Sequence, residues 1–294
     1  MIKNPFSAPE RELAAQIDSW LAHMRWRPDF ETWRMKRLYQ EEYQEEAIAL
    51  LQESLHLRKK DQAKDQAVDQ FSGLRLLDVG CGMGGFAVAA RLAGAEVVAL
   101  DYNPAYAAIT TLRAKRHNLT LPVGVAAGEN LPLPSAHFDA VTCWDVLEHA
   151  QAPKKLLTEL ARVLRPDGVL VLTAINRFAF RDPHYHLPLV NWMPRFWAEM
   201  LVAQLKRQKQ GAFQDRQKLS EMHYFTWNKL QEMINEFGFT LYDLDERRVA
   251  RGEIGKKQRW RKLFTERKIS LLSYKIYRTI WQGTWRLALV KEAK

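Results

Sequence analysis

Cysteine is almost missing from this 294-residue chain: Cys81 and Cys143 are the only two. That count excludes a disulfide framework and suggests no zinc site. Also absent is any run of 18 apolar residues, and the opening MIKNPFSAPERELAAQ lacks the apolar core of a secretory signal. The expectation is a cytoplasmic protein with no membrane-spanning helix. With 47% of residues hydrophobic, global disorder is excluded too. A chain of this length can bury a full core and carry attachments around it.

Charge is present but unevenly placed. Residues 71–175 hold 9 basic and 9 acidic side chains, whereas residues 251–294 hold 13 basic and 3 acidic ones, the whole of the net +10. A charge gathered in one segment points to a localised partner, phosphate groups of lipid or RNA, with a solvated helical face as the alternative. Within 251–280, Ile269, Leu272, Ile276 and Ile280 share a helical face among ten basic residues. Such a basic amphipathic helix suits an anionic membrane surface. It also suits RNA phosphates, although no RNA-binding module is recognisable.

Residues 9–24 and 30–57 have helical spacing of apolar residues, and KKDQAKDQAVDQ (59–70) reads as a polar connector. Beyond it strands alternate with helices: LRLLDVG, EVVALD, a short strand near 122–126, HFDAVTCWD and DGVLVLTAIN, separated by helical stretches. This alternation means a parallel sheet with right-handed crossovers. After an interruption come a helix WNKLQEMINEFG, begun by Thr226 as N-cap, a strand FTLYDLDERRV and a closing strand TWRLALVKE. The chain thus divides into an N-terminal helical segment (1–70), an α/β core (71–175), an insertion (176–226) and a completion of the sheet (227–294).

The turn LLDVGCGMGGF (76–86) follows the first strand. Gly80, Gly82 and Gly85 satisfy G-x-G-x-x-G, and Asp101 closes the second strand where a carboxylate can accept ribose hydroxyls. A dinucleotide or another adenosine-bearing ligand fits this much. No basic residue lies between 76 and 90. A pyrophosphate would find no cationic side chain in that turn, and both ligand types stay open on these residues alone.

LLDVGCGMGG, VVALDYNP and GENLPLPSAHFDAVTCWDVLEHAQAPKKLLTELARVLRPDGVLVLT resemble, in order and spacing, the class I S-adenosylmethionine-dependent methyltransferases of the type 11 kind. The resemblance covers about 71–175 and, more thinly, 220–250. It implies an α/β Rossmann-like doubly wound sheet, mostly parallel with an antiparallel last strand, N-terminal helices and an insertion after the fifth strand. It further implies that Asp78, Gly80, Cys81 and Gly82 line the methionine part of the cofactor, that Asp101 binds ribose and that Tyr102 packs on adenine. Gly128 and Glu129 would sit at the adenine edge and Trp144 near the transferring methyl. The family often has an acidic residue where this chain has Ala127, which leaves the adenine contact to Glu129 or to backbone.

Histidine suits removal of the acceptor's proton, and the candidates are His149, His184, His186 and His223. If 184–186 is extended, His184 and His186 point the same way. Asp145, Glu148 and His149 resemble the E-x-x-E-H pattern of ubiquinone-pathway O-methyltransferases, whose side chains can hold a divalent metal; a helix cap with a packing histidine is the plainer alternative, and no metal is assigned. The insertion opens with the apolar, proline-stiffened INRFAFRDPHYHLPLVNWMPRFW, and Tyr185, Trp192 and Tyr224 are its candidate contacts to an apolar acceptor. The expected activity is O-methylation of a small apolar, isoprenoid or lipid-linked acceptor. An RNA methyltransferase, a non-catalytic cofactor-binding scaffold and an NAD-dependent oxidoreductase are the alternatives.

Overall fold

The computed structural model describes residues 8–22, 25, 27–58, 71–205, 217–251 and 271–292. Its centre is a seven-stranded sheet. Strand β1 (Arg75–Val79) lies between β2 (Glu96–Asp101) and β4 (Phe138–Cys143); β3 (Val123–Val125) is outside β2, and β5 (Leu164–Ile175) is outside β4. These five strands are parallel. β4 is buried along its whole length, Asp139 and Thr142 included, as a parallel strand covered on both faces should be.

The closing strand β7 (Thr284–Lys291) does not take the edge. It inserts antiparallel between β5 and β6 (Phe239–Asp243), and the earlier β6 forms the edge. Chain order reverses between β1 and β4, so the ends of these two strands open the crevice where an α/β sheet takes its ligand.

Helices cover both faces. On one, α6 (Pro153–Val163) and α8 (Trp227–Asn235) pack Leu156, Leu157, Leu160, Leu230 and Ile234 against Trp285 and Leu287 of β7. On the other, α3 (Glu45–Leu55), α4 (Gly85–Leu92) and α9 (Leu244–Ala250) pack Leu50, Leu51, Phe86, Ala90 and Leu244 on the sheet. α5 (Pro104–Arg116) is begun by the Asn103 side chain, which accepts from Ala105 N, with Pro104 at the first helical position. It carries α1 (Ala8–Leu21) and α2 (Phe30–Leu38) through Leu13, Ile17, Leu38, Ile109 and Leu112.

Two expected elements differ. The helix expected over 30–57 is broken into α2, a 3-10 turn Gln40–Tyr43 and α3. The break turns Glu41 inward, where it is buried against Arg113, Arg116 and His117 at the end of α5. The strand expected over 239–249 stops at Asp243, whose carboxylate accepts from Asp245 N and Glu246 N and starts α9. Thr226 does begin α8, by accepting from Lys229 N. The connector 59–70 lies outside the described residues.

The insertion leaves β5 and returns to it. Phe225 N donates to Ile175 O and Arg177 N to Phe225 O, so its two ends are stitched together. Between them lie a 3-10 turn Val190–Trp192 and α7 (Arg195–Gln204), around a small core of Tyr185, Val190, Ala198, Val202, Leu219 and Met222. Among the described residues no helix is long and apolar enough to cross a membrane. The last described helix, α10 (Leu271–Ile280), leads into β7.

Candidate active site

The turn after β1 is bent by Gly80, whose φ of 72° is left-handed and whose N–H donates to Leu100 O at 2.8 Å. A Cβ placed there would stand 2.2 Å from Val146 Cγ2, so glycine lets this turn pack on the loop leaving β4. Gly80→Ala is expected to lower stability by roughly 2–4 kcal/mol through strain and overpacking; urea unfolding within 1 kcal/mol of the parent would refute the close approach.

Asp101 is a scaffold for the same turn: Oδ2 accepts from Gly82 N and Oδ1 from Asn103 N, both at 2.8 Å. Asp78 is fully buried. Thr142 Oγ1 donates to its Oδ1 at 2.8 Å, while Oδ2 has no hydrogen-bond partner. Burial pushes its pKa up to about 7, with Asp101 adding to the rise and Thr142 opposing it. Trp144 meets Phe86 edge-on at 5.8 Å, and its buried indole N–H also lacks a hydrogen-bond partner. A buried acceptor and a buried donor left open at one crevice fit a polar ligand that supplies both partners. Cys81 is buried beside Thr110, and burial raises its thiol pKa, so it lines the turn as an inert side chain.

The adenine-side assignments fare differently. Tyr102 is 65% exposed and free to cover a flat ring. Glu129, expected at the adenine edge beside Gly128, uses Oε1 to accept from Gln151 N at 2.8 Å. It thereby caps the start of α6, a role that its spacing to Asp101 does not reveal.

The loop leaving β4 carries the second half of the site. Asp145 takes a left-handed φ of 53°, and Thr173 Oγ1 donates to its Oδ1 at 2.9 Å. This turn brings round Glu148, which is buried and whose two carboxylate oxygens accept no hydrogen bond. His184 Nε2 stands 3.6 Å from Glu148 Oε1, and His149 Nε2 stands 4.0 Å from it. The candidate metal set therefore changes: Glu148, His149 and His184 have ligand atoms within 4.8 Å of one another, and Asp145 is not among them.

A residue that sequence reasoning did not single out orients this cluster. Gln217 Nε2 donates to His149 O at 2.9 Å, so its Oε1, 2.8 Å from His149 Nδ1, is the acceptor and Nδ1 carries the hydrogen. Gln217 lies 68 residues from His149, and no motif links the two.

The histidines expected to act together are separated. His184 N and Tyr185 N donate to Asp182 Oδ1, and His186 N donates to Asp182 O, forming a turn instead of an extended pair. His186 has a φ of 56° and is exposed, so only His184 reaches Glu148. His223 contributes its backbone, whose N–H donates to Glu148 O at 2.9 Å and ties the end of the insertion to the site; burial lowers its imidazole pKa. Of the candidate acceptor contacts, Tyr185 is in the insertion's own core and Trp192 is half exposed, its Nε1 donating to Phe178 O. Tyr224 stacks on His184 at 6.2 Å beneath the Arg195 guanidinium, and burial holds its pKa above the usual phenol range.

Residues 77–172, from the middle of β1 to the middle of β5, match the methyltransferase domain family. The match covers the parallel core and leaves out the N-terminal helices, the 176–226 insertion and the closing strand. Two similar proteins are the ubiquinone biosynthesis O-methyltransferases of Cereibacter sphaeroides and Xanthomonas oryzae pv. oryzae. Each is 36% identical over 107 residues, which make up 36% of this chain and 43% and 45% of the relatives. The chain thus spans less than half the length of the curated relatives it matches. A solved S-adenosylmethionine-dependent methyltransferase from Mesorhizobium loti is 18% identical, with 75% of this chain and 92% of that one superposed at a TM-score of 0.47.

Proposed function

We propose that this chain moves the methyl group of S-adenosylmethionine to an oxygen of a small apolar, isoprenoid or lipid-linked acceptor held beneath the 176–226 insertion. One observation carries the reading: a buried glutamate and two histidines meet at the end of β4, beside the turn that would hold the cofactor. Asp78 Oδ2 would take the cofactor's ammonium, Asp101 the ribose hydroxyls, and Tyr102 would cover the adenine. Trp144 would stand near the transferring methyl.

Methyl transfer is an in-line displacement, so the protein's part is alignment, exclusion of water and removal of the acceptor's proton. With Nδ1–H held by Gln217, His149 presents Nε2 as the acceptor for that proton. Glu148, unsolvated and without a hydrogen bond, favours the imidazolium that results. His184 shares the same carboxylate and fixes the insertion above it. The Glu148, His149 and His184 set also has the donor chemistry for a divalent cation, which when bound would acidify an acceptor hydroxyl.

His149→Ala should cut kcat by about 10²–10⁴ while leaving S-adenosylhomocysteine affinity within about twofold. Gln217→Ala should lower kcat about tenfold; equal turnover in all three proteins would remove His149 from the chemistry. Labelled cofactor offered to separated lipid, RNA and small-molecule fractions tests the acceptor. Label entering RNA alone would replace this reading with an RNA methyltransferase. The basic stretch 251–280 would hold the enzyme at the inner face of an anionic membrane, as a peripheral cytoplasmic protein; its residues 252–270 lie outside the described residues.

A further inference from the structure

α7 is turned inside out. Of its ten residues only Arg195 and Glu199 are charged, and both face the protein: Arg195 stacks on Tyr224 at 4.4 Å, and Glu199 accepts from Ser220 N at 2.8 Å. Ala198 and Val202, one helical turn apart, are its buried contacts. The opposite side presents Phe196, 66% exposed, Trp197, 56% exposed, and Met200, with Ala203 and Gln204 completing an uncharged face. A surface helix normally does the reverse.

The apolar face continues past the helix. Trp192 is half exposed and anchored through Nε1 to Phe178 O, and Phe178 is itself exposed. Leu189 is held in a left-handed conformation, φ 62°, with its side chain about half in solvent. That geometry costs a leucine on the order of 1 kcal/mol and gains it no burial. Farther on, exposed Trp281 at the end of α10 stacks on Phe180, ring centres 5.0 Å apart and nearly parallel. So many exposed large apolar side chains in one segment mark a site of association.

We infer that this face of the insertion is the apolar anchor by which the protein docks on an anionic lipid bilayer, Phe196, Trp197 and Met200 entering the headgroup boundary. The inference rests on the membrane part of the proposed function. It moves the apolar anchor from the basic C-terminal stretch to the insertion, leaving that stretch the electrostatic partner. Charge decides between a bilayer and a second copy of this chain. Asp182 is buried, Glu199 accepts from Ser220 N and the exposed Glu221 from Lys218 N, while Arg181 and Lys275 are exposed basic side chains of the insertion and α10. Lys206, Arg207 and Lys209 follow α7 directly in sequence, and the last 44 residues add their net +10. A symmetric dimer would set these like charges against one another, whereas an anionic surface is complementary to all of them. Exposed tryptophans at the edge of a basic surface are the side chains that settle at a membrane–water boundary. The patch also belongs to the segment that carries His184, which would bring a membrane-dissolved acceptor to the site.

The test is sedimentation of the full-length protein with vesicles of phosphatidylglycerol and phosphatidylcholine in equal parts, and with phosphatidylcholine alone. The parent should bind the anionic vesicles, and its binding should fall as salt is raised. Phe196→Ser with Trp197→Ser should weaken partitioning at least tenfold, while S-adenosylhomocysteine affinity, read by calorimetry, shows that the variant is folded. Parent-like vesicle binding by that double variant, or no binding by the parent at low salt, would overturn the anchor. So would a parent dimer, seen by analytical ultracentrifugation, that the double variant converts to monomer. None of these readouts requires turnover, so failure of the anchor and failure of the methyl-transfer reading are told apart.

Discussion

Asp78→Asn should weaken S-adenosylmethionine binding by about 10–100-fold and at the same time make the unliganded protein more stable. The two effects have one cause. The Asp78 carboxyl is fully buried with a single donor, Thr142, and its pKa stands near 7 against an ordinary 3.8. Folding therefore favours its protonated form. The resulting penalty is absent near pH 4, grows as the unfolded chain gains from ionisation, and is constant above about pH 7. Three pKa units correspond to about 4 kcal/mol, an upper figure because an asparagine amide must also find partners there. Unfolding in urea at pH 5 and pH 8 should show the variant's advantage widening with pH; a variant less stable than the parent at pH 8 would refute the buried-acid account. A cationic ligand stabilises the carboxylate, so binding to the parent should tighten between pH 6 and pH 8 with release of a proton. The asparagine variant should lack that pH dependence, and its loss of affinity reflects a missing charge-assisted contact.

What the sequence revealed follows from how locally each feature is written. The parallel core was legible because short, mostly apolar strands alternate with helical stretches, with Pro104 marking the start of α5, and beyond the core Thr226 marks that of α8. The break at Tyr39–Gln44 was not legible, because a glutamate on a helical stretch looks solvated until α5 supplies two arginines and a histidine to it. The place of β7 inside the sheet is set by pairing with β5, a contact across more than a hundred residues that no period encodes. In the site, His149 and Glu148 stood out because they sit in the turn after β4. His184 was singled out for the wrong geometry, since Asp182 gathers three backbone N–H groups into a turn and leaves His186 outside. Glu129 as a cap and Gln217 as an orienting amide escaped notice because each acts on a partner distant in sequence through an ordinary polar side chain.

The linkage least visible in the sequence should have the largest effect on stability. Arg113 is completely buried and donates to Met83 O at 2.7 Å, Leu38 O at 2.9 Å and Arg37 O at 2.7 Å, besides pairing with Glu41. Burial lowers its pKa to about 10, so it is still a cation at neutral pH. One side chain thus joins the end of α2 and the turn after it to Met83, within the glycine loop expected to hold the cofactor. Arg113→Ala should cost about 3–5 kcal/mol, because it removes one partner of the buried Glu41 carboxylate and the side-chain donor to Met83 O and Arg37 O, Leu38 O alone keeping Arg116. Part of Glu41's charge would still be met by Arg116 and His117, so Arg113→Ala combined with Glu41→Gln should recover about 1–2 kcal/mol of the loss. Unfolding of both single variants and the double variant measures the coupling. Additive losses would mean that the arginine acts through its carbonyl contacts alone. A loosened glycine loop should also appear as weaker S-adenosylhomocysteine binding in Arg113→Ala, although the arginine is not expected to touch the cofactor. Unchanged affinity in a folded Arg113→Ala protein would show that the N-terminal helices and the cofactor turn are mechanically independent.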